Sequence, residues 1–561
     1  MTGSFDTVGS APTVLAPADW QQSQHTGADS EMLAEYEQLL REANSAQNIF
    51  SRGRFVHQLF EAQVERDPEA IAVSYERQRL SYTELNSRAN QLAHYLQTRG
   101  VGPGTLVGIC LERSLSLVIS ILGVLKAGAG YVPLDPAYPV ERLAFMLRDA
   151  QMSYLLTGNT EKLPGHQALV INLESACESI AQANTTNPGS SVTSRDVAYV
   201  IYTSGSTGLP KGVVLEHYGL CNMLEEQIRL FDLQPYDRIA QFASFSFDAS
   251  VSEMFIALLV GAQLCLLPQE WRWPVSQLQH YLQEYAITTI TLPPSVLAVL
   301  PPEELPALRT VISAGEELSA EIATRWSTGK KLFNAYGPTE GTVCTTIGLC
   351  QVQKRRPSIG YPLNNTQVYL LDPLLQPVAR GSVGEVYIGG IGLARGYLNR
   401  PDLTAEKFLP DPFSSEPGAR LYKTGDLARF LPDGSLECIG RTDRMVKIRG
   451  FRVELEEVEA VLERHSRIFQ CVVTVYLDSR KARRLAAYVV TRPEYTQDEN
   501  YRLLQQEVTC FLQEKLPRYM LPATLVALSA FPLTPNGKID LRALPISGLD
   551  HQLLRYSKEE K

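Results

Sequence analysis

The sequence predicts an α/β protein: a large N-terminal domain of layered α/β subdomains plus a small β subdomain, followed by a small α+β C-terminal domain. Three observations carry that expectation. From about Leu80 to Gly360, almost wholly apolar strand-length runs alternate with helix-length runs, the pattern of a mainly parallel sheet covered on both faces. After Gly360 the helices thin out and short strands between Gly and Pro turns take over. A chain of 561 residues is also too long for one hydrophobic core, and past Gly440 the pattern changes again.

Taken in order, residues 1–50 begin with small and polar residues and carry one helical patch, EMLAEYEQLLREAN, which reads as a loosely held leader. In ELNSRANQLAHYLQ, the residues Leu85, Ala89, Leu92, Ala93 and Leu96 form the 3.6-residue stripe of a packed helix. LVGICL then reads as a strand, SLVISILGVLKAG as a helix and YVPL as a strand. The rhythm continues through VAYVIYTS, HYGLCNMLEEQIRLF, IAQFAS, SVSEMFIALLVG, AQLCLLP, QLQHYLQEYA and ITTITLPP, strand and helix in turn. QVYLLD and GEVYIGG belong to the β subdomain. VELEEVEAVLERH and YRLLQQEVTCFLQEKL read as helices, CVVTVYLD and RLAAYVV as a hairpin around a basic turn, and NGK at 536–538 as a tight turn. The expected division is a leader over 1–50, a large core over 51–442, a small domain over 443–545 and a linker over 546–561.

Hydrophobic content of 44% and charged content of 20% are ordinary for a water-soluble globular protein. A net charge of -9 without a long Lys/Arg run argues against a nucleic-acid partner. The short basic pieces Lys354-Arg355-Arg356 and Arg480-Lys481-Ala482-Arg483-Arg484 read as solvated turns. Nine cysteines, odd in number and without a C-x-x-C pair, suit reduced thiols in a cytoplasmic protein, with no zinc site. No apolar stretch reaches the ~18 residues of a membrane span.

The stretch YTSGSTGLPKG, Tyr202 to Gly212, follows an apolar strand and combines converging backbone N–H groups with the hydroxyls of Thr203, Ser204, Ser206 and Thr207 and the charge of Lys211. A phosphate is the expected guest. The spacing is not that of a Walker loop, because Leu209-Pro210 separates Gly208 from the lysine. Its company is more specific: LSYTEL at 80, LKAGAGYVPLD at 125, FDAS at 247, NAYGPTE at 334, GEVYIGGIGLARGYL at 384, YKTGDL at 422, GRTDRMVKIRGFRVELEEVE at 440, LPRYMLP at 516 and NGKID at 536. With these motifs in this order over about residues 55–545, the sequence resembles the adenylate-forming superfamily, and within it the adenylation domains of nonribosomal peptide synthetases. The last motif departs from the family at Leu541, where Arg is common, but keeps the lysine.

The resemblance implies an amino-acid adenylating ligase that uses ATP and Mg²⁺, releases pyrophosphate and passes the acyl group to the phosphopantetheine thiol of a peptidyl carrier domain, with neighbouring synthetase domains as partners. It implies that Thr203, Ser204, Gly205, Ser206, Thr207 and Gly208 cradle the β- and γ-phosphates with Lys211, that Tyr336 stacks on adenine, and that Glu340 holds Mg²⁺. Gly315, Glu316, Asn334, Gly337 and Thr339 complete the nucleotide site, with Asp426 accepting the ribose hydroxyls and Arg441 as a second contact. Lys538 would reach the substrate carboxylate and the α-phosphate. The small domain is expected to be mobile, hinged at Asp443, with Lys447 brought in for the thiol-transfer step.

In FDAS, Asp248 matches the carboxylate that pairs with a substrate α-ammonium, whereas Ser250-x-x-Glu253 reads as a capping box for the helix that follows. The family's pocket positions fall on Asp248, Ala249, Ser252, Thr291, Ile312, Ala314, Ala335, Val343, Cys344 and Lys538. This lining resembles phenylalanine and tyrosine pockets, and Ser252 stands where the phenylalanine type carries Trp. Tyrosine is the first expectation and another aromatic amino acid the next. Arginine follows, although no second carboxylate in the lining meets a guanidinium. The leader, with no condensation domain before it, resembles the initiation module of anabaenopeptin-type synthetases. No carrier Ser motif follows NGKIDLRALP, so the thiol partner is expected from another domain or chain of a longer synthetase. The alternatives are an acyl- or aryl-CoA ligase of the same superfamily and a catalytically silent carrier-binding scaffold.

Overall fold

The structure, a computed structural model, describes residues 53, 55–158, 165, 167–189, 192–205, 208–268, 275–352, 355–478, 482–492, 501–534 and 538–545. The expected leader helix, Ser206 and Thr207 of the glycine loop, Asn536 and Gly537 of the tight turn and the linker over 546–561 lie outside these residues.

The alternating part of the chain divides between two mainly parallel sheets, in keeping with layered α/β subdomains. Leu106–Cys110, Gly130–Pro133, Tyr154–Thr157, Leu169–Asn172 and Val197–Thr203 run parallel in a seven-stranded sheet, closed at one edge by the antiparallel Lys211–Glu216 and Gly396–Tyr397. Ile71–Tyr75, Gln263–Leu266, Arg238–Gln241, Thr289–Leu292, Thr310–Ala314 and Lys331–Tyr336 form the parallel centre of a nine-stranded sheet with antiparallel edges. Apolar strands of similar composition carry no signal for which sheet they join. Helices distribute them. Ala249–Val260 is mostly apolar, and Ser250 through Leu258 are all buried, as in an interior helix.

Local signals place the helices well. Ser81 starts Tyr82–Gln97: its hydroxyl accepts from the Glu84 N–H at 3.2 Å while the Glu84 carboxylate accepts from the Ser81 N–H at 2.9 Å. The expected capping box at Ser250 does not form. The helix begins at Ala249, so Ser250 lies inside its first turn and donates back to the Phe247 carbonyl at 2.6 Å. Glu253 turns away and accepts from the Phe242 and Ala243 N–H groups, at 3.1 and 3.0 Å.

Beyond Gly360, Thr366–Leu371, Gly384–Gly390, Phe408–Pro410, Arg420–Phe430 and Leu436–Arg441 make an antiparallel five-stranded sheet. The C-terminal region packs Leu455–Leu462 and Tyr501–Gln513 on a three-stranded sheet of Ile468–Leu477, Arg483–Thr491 and Thr524–Leu528. Val458, Leu462, Val473, Val489, Val508 and Met520 belong to its own apolar core. It docks on the large domain through a buried Arg142–Glu457 pair at 2.8 Å, Lys515 on Glu141, and Phe451 stacked on Tyr519 beside Phe247. Among the described residues, no helix is long and apolar enough to cross a membrane.

Candidate active site

A cavity of about 1020 Å³ opens between the two domains. Parallel strands deliver its walls from their carboxyl ends: Thr291, Ile312, Ala314, Asn334, Ala335 and Tyr336 come from three neighbouring strands of the nine-stranded sheet. Thr203 and Ser204 enter at the end of Val197–Thr203. Asp248 precedes the interior helix, with Ala249 and Ser252 on its first turns. Val343 and Cys344 enter from a tight segment in which Thr342 (φ +59°) and Val343 (φ +64°) are left-handed, a costly conformation for a β-branched residue. At Gly337, a Cβ would lie 2.7 Å from the Cys344 Cα.

All the expected pocket positions except Lys538 line this cavity. Burial pushes the Asp248 carboxyl above its ordinary value, against the Thr339 hydroxyl and the Ala249 N–H, which favour the anion. An ammonium arriving beside it would offset that cost. Burial likewise pushes the Cys344 thiol up to about 12, so it is a neutral wall.

The nucleotide positions gather on the opposite side. The Tyr336 hydroxyl donates to Asp426 at 2.6 Å, and Arg441 pairs with the other Asp426 oxygen. A carboxylate has about four lone-pair sites, so Asp426 keeps acceptor capacity for two hydroxyls. Arg441 is itself gripped by Asp443, the expected hinge residue, at 2.7 and 2.8 Å. Glu316 joins the domains instead of only facing the cavity: its carboxylate accepts from the Ser295 N–H at 3.0 Å and the Gly450 N–H at 2.9 Å. Gly315 is left-handed (φ +84°), and its missing side chain lets Gly450 approach.

The charged end is built on Glu340, fully buried. Burial would raise its carboxyl, but Arg452 and Lys211 outweigh that and hold it at about 2. Both Glu340 oxygens meet Arg452, at 3.1 and 3.3 Å; Lys211 stands 3.6 Å away, and the Tyr397 hydroxyl donates at 2.7 Å. Burial and Arg452 together pull the Lys211 ammonium down to about 8. A carboxylate held ionised by neighbouring cations fits Mg²⁺ once Arg452 gives up its oxygens. Among the described residues no group of three or more His, Cys, Asp or Glu could hold a metal, so an ion at Glu340 would complete its shell with phosphate oxygens and water, as Mg²⁺ commonly does.

The small domain occupies the approach to this end. The Gly205 N–H donates to the Glu457 carboxylate at 3.1 Å, and the Ser204 hydroxyl donates to the Arg452 carbonyl at 3.1 Å. Gly208 (φ +79°) faces Ala460, whose Cβ would stand 2.7 Å from a side chain there. Lys447 lines the cavity with its ammonium 5.8 Å from the Tyr336 ring centre. Lys538 does not line it: exposed, its carbonyl accepts from the Thr534 N–H at 2.7 Å and its N–H donates to the Thr534 hydroxyl at 3.2 Å. The two basic pieces also meet, since Arg356 and Arg483 both pair with Glu317 at the rim, at 2.7 and 3.2 Å.

Sequence reasoning missed Gln227, Phe231, Arg452, Glu457 and Tyr397. For Gln227 a signal existed: along Leu220, Leu224, Gln227 and Phe231 it is a polar residue on an otherwise apolar, buried stripe. Arg452 and Glu457 lie inside the motif at 440, but nothing local says what they touch.

Residues 60–398 match the AMP-binding enzyme family, and residues 457–538 match the AMP-binding enzyme C-terminal domain. Over 512 residues the chain is 45% identical to bacitracin synthase 3 of Bacillus licheniformis, and over 504 residues it is 44% identical to tyrocidine synthase 1 of Brevibacillus parabrevis. These alignments cover 90% and 88% of this chain but 8% and 45% of those relatives. Among solved structures, an artificially fused adenylation–PCP di-domain of a nonribosomal peptide synthetase from Klebsiella oxytoca superposes with a TM-score of 0.76 at 26% identity, covering 85% of this chain and 94% of that one.

Proposed function

The chain belongs to the AMP-binding enzyme family, and we propose accordingly that it activates an amino acid with ATP as the aminoacyl adenylate, releasing pyrophosphate, and then transfers the acyl group to the phosphopantetheine thiol of a peptidyl carrier domain in the cytoplasm. One observation carries the reading: a single cavity joins Asp248, a half-buried carboxylate at the mouth of a small, largely apolar pocket, to the Tyr336–Asp426–Arg441 group and to Arg452, behind which Glu340 and Lys211 lie buried.

In this reading Asp248 holds the α-ammonium and so aims the substrate carboxylate toward the phosphate end. Tyr336 and Asp426 place the nucleoside. Lys211 and the glycine loop offset charge on the departing pyrophosphate, and Glu340 would hold Mg²⁺, which would supply charge neutralisation. Lys538 serves the adenylation step from an arrangement of the small domain other than the one described, and Lys447 serves the transfer step. The substrate is an aromatic amino acid, tyrosine first, with arginine as the long-chain alternative.

The test is ATP/pyrophosphate exchange with a panel of amino acids and aryl acids. Asp248→Ala should lower amino-acid-dependent exchange by about a hundredfold or more, the effect of leaving one side of a buried ion pair unmatched. Undiminished exchange, or a preference for aryl or fatty acids, would instead identify an acyl- or aryl-CoA ligase. Failure of every acid to support exchange would identify a silent scaffold.

A further inference from the structure

The inner end of the pocket is closed by a polar side chain outside the pocket positions read from the sequence. Ser252 stands one helical turn beyond Asp248, about 6 Å deeper along the interior helix. Its hydroxyl donates to the Gln227 amide oxygen at 2.5 Å. The Cys344 thiol lies nearby, bonded to the Tyr336 and Thr346 carbonyls at 3.7 and 3.3 Å. All three line the cavity, and Phe231, one turn from Gln227 on the helix His217–Phe231, lines it beside them. Gln227 is only 3% exposed, on a helix that packs against the one bearing Asp248 and Ser252.

A buried amide facing an apolar pocket is costly unless its hydrogen-bonding groups are used. Gln227 carries two N–H donors and an oxygen with two lone pairs, and the one bond from the Ser252 hydroxyl does not exhaust them. Whichever way the amide lies, it presents both a donor and an acceptor to whatever fills the pocket. A para-hydroxyl on an aromatic ring has the same pair of needs at the same end of the molecule. We propose that Gln227, oriented by Ser252, is a specificity-determining residue that reads the terminal hydroxyl of a para-hydroxylated aromatic amino acid.

This inference rests on the reading of the cavity as an amino-acid site. A site built to hydrogen-bond a hydroxyl discriminates strongly against the analogue lacking it, whereas an apolar site cannot. The experiment is ATP/pyrophosphate exchange with tyrosine, phenylalanine and arginine on the full chain and on two variants. Gln227→Leu should lower the tyrosine-to-phenylalanine ratio of kcat/KM at least tenfold while phenylalanine turnover persists, which also reports an intact fold. Gln227→Glu should raise arginine relative to tyrosine at least tenfold, because the pocket then holds a carboxylate for the guanidinium. A tyrosine-to-phenylalanine ratio within twofold of the unsubstituted value in Gln227→Leu, parallel loss of all three substrates in both variants, or no gain in arginine in Gln227→Glu would overturn the assignment. An unsubstituted chain that exchanges with leucine or aspartate and no aromatic amino acid would fail the aromatic reading itself, a different result from tyrosine preference that ignores residue 227.

Discussion

At the scale of single residues, the charged end shows how a few side chains set one another's protonation. Glu340 stays ionised because Arg452 and Lys211 face it, and Lys211 is pulled toward 8 because burial and Arg452 disfavour a second cation. An anionic guest would restore the ammonium. Under the proposed function, Lys211→Ala should reduce pyrophosphate exchange by ~10² or more, as expected for one lost charge-stabilising group. The ratio of kcat/KM between tyrosine and phenylalanine should stay unchanged, because Lys211 is distant in role from the Ser252–Gln227 end; a changed preference would refute that division. The roles expected of Lys211, Glu340 and Asp248 rest on short contiguous motifs, which the sequence displays by itself. The Arg452–Glu340 contact could not be read, since 112 residues separate the partners and only packing brings them together.

At the scale of elements, two helices organise the substrate side. His217–Phe231 brings Gln227 and Phe231, and Ala249–Val260 brings Ser252. The first of these starts at His217, which is buried against His57 with ring centres 5.7 Å apart. Burial lowers the His217 imidazole to about 4 and His57 well below its ordinary value, so both are neutral in the folded protein. The unfolded chain takes up protons at His217 near 6.5 while the folded chain resists until about 4, so stability falls as pH drops through that window. Between pH 6.5 and pH 5, His217 alone should remove about 2 kcal/mol. Denaturant midpoints at pH 7 and pH 5 should reveal this slope, and His217→Gln should flatten it. The helix His217–Phe231 was legible to the residue from its periodicity; the division of similar apolar strands between two sheets was not.

For the whole molecule, the proposed function makes the position of the small domain decide which chemistry the cavity is equipped for. Here it places Lys447 at the cavity, Arg452 on Glu340 and the Glu457 carboxylate on the Gly205 N–H, while Lys538 faces solvent. A carboxylate at the glycine loop and a guanidinium at Glu340 stand where the proposed function puts phosphate and metal, so this arrangement suits the stage after pyrophosphate has left. Lys538→Ala should therefore lower adenylation by ~10² or more while transfer from supplied aminoacyl adenylate to a carrier thiol survives. Lys447→Ala should show the reverse, with exchange retained and transfer slowed. Measuring the two half-reactions separately checks both; equal loss in both half-reactions for either variant would contradict the alternation.

Periodicity and short motifs are local properties of a chain, and they were enough to establish the α/β class, the order of most helices and strands, the family resemblance and the residues that contiguous motifs carry. The partition into two sheets, the failed capping box at Ser250 and the polar end of the pocket at Gln227 emerged only in three dimensions. So did the meeting of Arg452 with Glu340 and of Glu457 with Gly205. Each of these depends on which distant segments share a face, and that is settled by how whole elements bury their apolar surfaces against one another.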